Sequence, residues 1–206
     1  TTDARIPLVS ATGSTKMGKI VAKIEALGLS ENTIIIFTGD NGTDKPIVSI
    51  FRGKDYIGGK TKTTDNGTHV PLIVRWDGKI KPNSESSDLI DFSDMLPTIC
   101  DMANVDVSSE VPIDGVSFLP QLLGKKGTPR KWIYSWFSSH GTLKRLKEFT
   151  RNKDYKLYTT GQFYNVKEDF FEKSPLLFKS LSKEEKLVHK ELKSALKLYK
   201  HARIKK

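Results

Sequence analysis

An aspartate and an asparagine stand side by side directly after an apolar run. The run Ile34–Phe37 leads into the sequence TGDNG, which contains Asp40 and Asn41. A carboxylate and an amide carbonyl are hard oxygen donors that suit Ca²⁺ or Mg²⁺, and the flanking glycines permit a turn that brings both side chains together. The alternative is an Asx turn, in which either side chain bonds its own backbone. The pair alone leaves both interpretations open.

A second polar loop, residues 58–69, carries two lysines and ends in a histidine before another apolar run. An ammonium group beside a metal would bind an anion such as sulfate or phosphate, which makes Lys60 and Lys62 candidate ligands for it. The alternative is that both lysines are solvated. His69 is either a donor behind the metal ligands or a packed histidine. The whole segment between the two apolar runs, residues 42–69, is too long and too polar for a plain connection, which favours a functional role.

The elements around these loops predict an α/β fold. Residues 14–28 carry apolar side chains at helical spacing, with Ser14 as N-cap and Gly28 as C-cap. The apolar runs Ile34–Phe37 and Val70–Trp76 are typical of strands buried on both faces. We therefore expect part of a central, mostly parallel sheet flanked by helices, with ligands beyond the carboxyl ends of its strands.

The rest of the sequence completes the α/β core and adds a smaller, mainly antiparallel part. Residues 89–105 indicate a helix with Ser93 as N-cap, and residues 119–123 a short helical turn. A strand over 131–137 and a hairpin over 155–166 follow, and the last helix spans Lys183–His201. We predict two domains, an α/β core over 1–127 that carries the metal residues, and an α+β subdomain over 128–206 with an antiparallel sheet and a C-terminal helix.

The composition excludes some kinds of site and makes some kinds of partner less favoured. The chain has 206 residues, a formal net charge of +10 and a single cysteine, Cys100, so an intrachain disulfide and a multi-cysteine zinc site are excluded. Much of the excess charge lies in 183–206, where Lys alternates with Glu on a helical pattern, which favours a solvated amphipathic helix over a nucleic-acid partner. No apolar run approaches the ~20 residues that span a bilayer, so we expect no membrane partner.

Three blocks together carry a family resemblance. LGLSENTIIIFTGDNG, GGKTKTTDNGTHVP and DFSDMLPTICDMANV follow one another in the order and spacing of a known group. From about Gly18 to the last helix, the chain resembles the C-terminal half of a type I, formylglycine-dependent sulfatase. This is the arylsulfatase-like group of the alkaline phosphatase superfamily.

The resemblance implies a site. Such enzymes hydrolyse sulfate esters with a formylglycine made from Cys or Ser in a C/S-x-P-x-R motif, assisted by Ca²⁺ or, alternatively, Mg²⁺. The metal pair of the family falls on Asp40 and Asn41, and its catalytic lysine on Lys60. Lys62 stands where the family commonly has Thr, and His69 where many members have Arg. For these two the resemblance implies a contact with substrate or with the ligands.

The expected nucleophile has no counterpart here. Cys100 is followed by DMANV, and no serine lies in an S-x-P-x-R context. We therefore expect a fragment that is inactive by itself and that self-associates through its uncovered core. The substrate of the whole enzyme would be a sulfated small molecule or glycan. The compartment is unknown from the sequence, and the resemblance suggests a periplasmic or secreted protein.

Two other functions stay open at this point. One is a phosphoester hydrolase or phosphotransferase of the same superfamily, which the Asp-Asn pair disfavours because phosphatases commonly combine Asp with His. The other is a non-catalytic anion-binding module, in which the C-terminal lysines bind a polyanion.

Overall fold

A computed structural model describes residues 14–51, 53–107, 110, 112–138 and 146–200. The chain divides into two compact units, residues 1–84 and 85–206. We call them unit 1 and unit 2. The predicted domain boundary at 127/128 stays a prediction. In the described part of the chain, no helix is both long and apolar enough to cross a membrane.

Unit 1 alternates short strands and helices. Its first helix confirms the predicted one, and Gly28 ends it with φ of 66°, a left-handed conformation in which its N–H reaches the carbonyl of Glu25 at 3.0 Å. Residues 48–51 and 54–57 pair as an antiparallel hairpin inside the polar segment 42–69, which the sequence did not predict. The elements of unit 1 are α1 (Ser14–Ala26), β1 (Ile34–Thr38), β2 (Val48–Phe51), β3 (Lys54–Ile57), α2 (Asp65–Thr68) and β4 (Leu72–Trp76).

The two apolar strands pair, but not in the predicted direction. Strands β1 and β4 are antiparallel, with Ile36 opposite Val74 and Thr38 opposite Leu72. The central parallel sheet is therefore not confirmed, and every strand pairing described for the chain is antiparallel. The reason lies in the connection, because residues 39–71 leave and return at the same end of the pair. A parallel pair needs a crossover to the opposite end.

Unit 2 places one helix against a four-stranded antiparallel sheet in the order β5-β6-β7-β8. The predicted hairpin is confirmed, with Gly161 at φ of 90° in its turn. Strand β6 was not predicted, and the last helix ends at Leu198, while His201 lies outside the described residues. The elements are α3 (Met95–Met102), α4 (Leu119–Leu122), β5 (Ile133–Ser138), β6 (Leu146–Arg151), β7 (Tyr155–Tyr158), β8 (Phe163–Asn165) and α5 (Lys183–Leu198).

The cap before α3 differs from the prediction. Asp91, not Ser93, caps the single 3₁₀ turn that leads into the helix, because its carboxylate accepts the N–H of Ser93 at 3.0 Å. Asp94 completes a capping box by accepting the N–H of Asp91 at 2.9 Å. The same buried carboxylate pairs with the guanidinium of Arg130, so one residue closes both the helix start and the loop that leads to β5.

The core of unit 2 lies between α5 and the sheet. Leu157, Phe163, Leu181, Leu192 and Leu196 form one buried cluster. The helix begins with a capping box in which Ser182 and Glu185 exchange side-chain and backbone hydrogen bonds. These contacts fix which face of α5 meets the sheet and which face remains in solvent.

A buried ion pair stabilises the other side of this sheet. Lys156 Nζ lies 2.7 Å from a carboxylate oxygen of Glu172, with side chains 1% and 6% exposed. The ammonium also lies 3.9 Å from the ring centroid of Phe149, and Tyr158 donates to Glu172 at 2.5 Å. The carboxylate therefore neutralises a cation that burial would otherwise destabilise.

Replacing Glu172 should destabilise unit 2. We expect Glu172→Gln to lower the free energy of unfolding by about 3–5 kcal/mol, because it leaves the buried Lys156 ammonium without its counter-charge. Lys167→Gln is the control, since it breaks an exposed pair with Asp154 at 3.7 Å and should cost about 1 kcal/mol or less. Urea unfolding followed by far-ultraviolet circular dichroism measures both. Equal losses would contradict the role given to Glu172.

Candidate functional site

Backbone hydrogen bonds join the loop after β1 to the loop before α2. The N–H of Gly42 donates to the carbonyl of Gly67 at 3.0 Å, and the N–H of Lys60 donates to the carbonyl of Thr43 at 3.0 Å. The N–H of Gly58 adds a bond to the carbonyl of Ile47 at 2.8 Å. The loop that carries Asp40 and Asn41 is thereby held against the loop that carries Lys60.

Glycine is required where these loops meet. A Cβ atom at Gly42 would lie 2.0 Å from the carbonyl oxygen of Asn66, and one at Gly67 would lie 2.4 Å from the carbonyl oxygen of Gly59. At Gly59 it would lie 2.5 Å from the side chain of Asn66. No side chain fits at such distances from backbone. The sequence GDNG therefore has a packing role in its last residue as well as a candidate chemical role in its middle two.

Asn66 is the central residue of this junction, and sequence reasoning missed it. It is 1% exposed, its amide donates to the carbonyl of Ile57 at 2.9 Å, and its oxygen accepts the hydroxyl of Thr64 at 2.6 Å. The available signal was a repeat, since Asp65-Asn66-Gly67 copies the tripeptide Asp40–Gly42. The second copy is a structural element of the site.

The first copy is arranged differently. Asp40 is exposed and Asn41 is half-buried. Within the described part of the chain, neither side chain takes part in a hydrogen bond or an ion pair. The bond that an Asx turn requires is thus not seen here, whereas Asp44 in the same loop does accept the N–H of Lys45 at 2.9 Å. Two oxygen-bearing side chains are left available at the end of β1.

The lysines lie on a tight turn. Thr61, between them, has φ of 73°, and the N–H of Lys62 donates to the carbonyl of Gly59 at 2.8 Å. Both lysines are exposed, and neither forms an ion pair with another described residue. Only Lys60 is bonded through its backbone to the loop after β1. The structure therefore distinguishes it from Lys62 by position.

His69 contacts a different carboxylate. Its Nδ1 lies 3.1 Å from Oδ2 of Asp65, and the His69 side chain is 70% exposed. Asp65 is buried and also acts on Tyr56, where burial first and the negative charge of Asp65 second raise the pKa of the phenol to about 12. The contacts described for His69 are thus with α2, and they do not include Asp40 or Asn41.

The side-chain oxygens of Asp40 and Asn41 are the type of ligand that a hard cation prefers. Ca²⁺ takes 6–8 oxygen ligands, of which a carboxylate and an amide oxygen would supply a part. Among the residues that the structure describes, no group of three or more His, Cys, Asp or Glu side chains could hold a metal ion. Cys100, a free and half-buried thiol, lies in α3 of unit 2. The roles predicted for Asp40, Asn41, Lys60, Lys62 and His69 stay predictions.

Comparison with known proteins finds that the chain is similar to sulfatases. The sulfatase family model matches residues 15–105. The chain is 38% identical over 128 residues to the uncharacterized sulfatase YdeN of Escherichia coli K12, covering 58% of this chain and 22% of that protein. It is 32% identical over 130 residues to N-acetylgalactosamine-6-O-sulfatase of Bacteroides thetaiotaomicron, covering 57% and 25%.

A solved structure extends the match over most of the chain. BT4656 in complex with D-glucosamine-2-N,6-O-disulfate superposes with a TM-score of 0.71 at 26% identity, over 90% of this chain and 38% of that one. The chain therefore corresponds to well under half of these relatives, and the fold it shares with them is sulfatase-like.

A side chain at Gly42 should open the junction between the two loops. We expect Gly42→Ala to cost about 1–3 kcal/mol, because its Cβ would collide with the backbone of Asn66. Amide hydrogen exchange of residues 39–44 and 58–67 should then become faster. Gly18→Ala in α1, where nothing lies within 4 Å, should leave that exchange unchanged. Unchanged exchange in both variants would contradict the close packing.

Proposed function

We propose that this chain, whose residues 15–105 match the sulfatase family model, is part of an enzyme that hydrolyses sulfate esters. In this proposal it contributes metal ligands and a sulfate-binding lysine. The observation that carries the proposal is the arrangement at the end of β1. Asp40 and Asn41, whose side chains form no hydrogen bond with another described residue, lie on the loop after β1. The Lys60–Thr43 backbone hydrogen bond holds that loop against the loop of Lys60, whose ammonium forms no ion pair within the described residues.

Each residue has a distinct task in this proposal. The carboxylate of Asp40 and the amide oxygen of Asn41 would hold Ca²⁺, or alternatively Mg²⁺, which when bound polarises sulfate oxygens as a Lewis acid. The ammonium of Lys60 would bind a sulfate oxygen and offset the negative charge that develops on the leaving oxygen. Asp65 and Asn66 would hold the loops in register without touching substrate.

The nucleophile would come from outside this chain. The family uses a formylglycine in a C/S-x-P-x-R motif, and the sequence carries no such motif. The curated relatives extend far beyond the matched segment, which covers 22% and 25% of the two compared above. Apolar side chains exposed in unit 1, among them Ile20, Leu27 and Ile50, would be covered by that missing part or by a second copy.

Calcium binding tests the two ligands directly. The chain should bind Ca²⁺ weakly, with Kd on the order of 10⁻³ M or above, because most of the ligand set is missing. Nuclear magnetic resonance titration should show shifts of the Asn41 side-chain amide, and Asp40→Ala should abolish them. Asp44→Ala, which removes a carboxylate from the same loop, should preserve them. Equal titrations of wild type and Asp40→Ala would remove Asp40 as a ligand.

Hydrolysis assays distinguish the role of Lys60 from that of Lys62. The 206-residue chain alone should not hydrolyse 4-methylumbelliferyl sulfate, because it contains no nucleophile of the required kind. In the full-length gene product, Lys60→Ala should lower kcat/KM by about 10²–10³, the loss expected for one electrostatic donor to a developing oxyanion. Lys62→Ala, on the same turn, should change it much less. Robust hydrolysis by the isolated chain, or equal losses in both variants, would contradict the proposal.

A further inference from the structure

Lysines recur along α5 on the side opposite its buried face. They are spaced alternately by three and four residues, which places the five within the helix inside an arc of about 80°. A sixth lies just beyond the helix end. The lysine stripe consists of Lys183, Lys186, Lys190, Lys193, Lys197 and Lys200. Leu192, Ala195 and Leu196, which are buried, point to the opposite side.

The positive charge of the stripe is not neutralised by the rest of the described chain. All six lysines are exposed, and none forms an ion pair with a described residue. The three acids of the helix do not neutralise the stripe, since Glu185 accepts the N–H of Ser182 at 2.8 Å, and Glu184 and Glu191 lie off the arc. A strip of unpaired charge about 21 Å long, from Lys183 to Lys197, therefore faces solvent.

A shallow concavity of about 380 Å³ interrupts the middle of the stripe. It is lined by Phe178, Lys186, Leu187, His189, Lys190 and Lys193. The Phe178 side chain is 58% exposed, and its ring meets that of His189 at 5.1 Å between centroids. Three lysines thus line the same concavity as an exposed aromatic ring and a leucine. Such a site fits a ligand unit that is anionic at its edges and apolar on one face.

The geometry disfavours two other polyanionic partners. An interfacial helix inserts its apolar face into the lipid, but the apolar face of α5 is buried against the sheet. The stripe contains no arginine, asparagine or glutamine for base edges, and Phe178 is a single aromatic group rather than a series for stacked bases. A linear chain of sugar rings with charged substituents matches both the strip and the concavity.

We infer that the lysine stripe and its concavity bind a linear sulfated polysaccharide. Sulfate groups would pair with lysines whose Cβ atoms lie about 5–6 Å apart along the helix, and one sugar ring would lie on Phe178. The choice of sulfate over other anions rests on the proposed function. The stripe would hold a polymeric substrate or product through groups that take no part in bond cleavage.

Binding of chondroitin sulfate oligosaccharides to the full chain tests the stripe. Lys186→Gln/Lys190→Gln/Lys193→Gln should lower the affinity about tenfold or more, and should make the dependence of log Kd on log salt concentration shallower by about two to three. The matched control, Lys125→Gln/Lys126→Gln/Lys131→Gln, changes the net charge equally at exposed lysines of the same unit and should keep binding. Equal losses in the two triple variants would overturn the inference.

Phe178→Ser tests the concavity. It should weaken oligosaccharide binding severalfold without changing the salt dependence, because it removes a ring contact and no charge. Hyaluronan, which has carboxylates but no sulfate, should bind more weakly than chondroitin sulfate. Tighter binding of double-stranded DNA or of phosphatidylserine vesicles at the stripe would overturn the assignment of the partner. Circular dichroism and thermal unfolding confirm that each variant is folded.

The stripe and the metal residues can be tested apart. Asp40→Ala should bind chondroitin sulfate like wild type, and the stripe variant should bind Ca²⁺ like wild type. In the full-length gene product, the stripe variant should raise KM for the polymer and leave 4-methylumbelliferyl sulfate hydrolysis unchanged. Absence of Ca²⁺ binding by the wild-type chain, or of hydrolysis by the full-length gene product, with polysaccharide binding intact would refute the proposed function. Absence of polysaccharide binding by the wild-type chain, with Ca²⁺ binding and hydrolysis intact, would refute the stripe.

Discussion

Close backbone contact without side chains is the constraint on which unit 1 depends. Gly42 and Gly59 approach Asn66, and Gly67 approaches the carbonyls of Lys62 and Gly59, at distances that no Cβ atom could occupy. That approach brings the end of β1 to the turn of Lys60 and fixes both through amide–carbonyl bonds. The positions of the candidate chemical groups thus follow from three residues that have no side chains.

The repeated tripeptide Asp-Asn-Gly shows how context assigns roles to identical residues. In α2, the amide of Asn66 is buried and makes two hydrogen bonds, and Asp65 is buried beside His69. At the end of β1, the side chains of Asp40 and Asn41 make none within the described chain. A buried polar group must be bonded, whereas an exposed one need not be. The unbonded copy is therefore the one available to a ligand.

Sequence patterns were reliable where a local rule determines the structure. Helix α1, strand β1 and the hairpin turn at Gly161 follow from apolar spacing and from a left-handed glycine. Sequence patterns failed where the structure depends on contacts with residues far along the chain. An apolar strand does not indicate whether it pairs in parallel or antiparallel. Strand β6 was not predicted because its sequence is rich in charged residues, of which Glu148 is buried. Asp40, Asn41 and Lys60 are candidates because a motif carries them, and their roles stay predictions. The packing of their loops depends on Asn66, whose amide donates to the carbonyl of Ile57, nine positions earlier.

Unit 2 contains two kinds of cationic side chain, buried ones that are paired with carboxylates and exposed ones on α5. Lys156 is buried and Arg130 is largely so, and each is paired with a carboxylate, because an unpaired charge in the interior would be strongly destabilising. The lysines of α5 are exposed, so solvation satisfies them and folding imposes no need for partners. Their alignment on one face, however, is not a requirement of solubility, since lysines on several exposed faces would serve equally well. A line of lysines that form no ion pair with another described residue, beside an exposed aromatic ring, suits the polymeric anion we propose, and it shares no residue with the metal pair. Recognition of the polymer and attack on the ester would therefore vary independently.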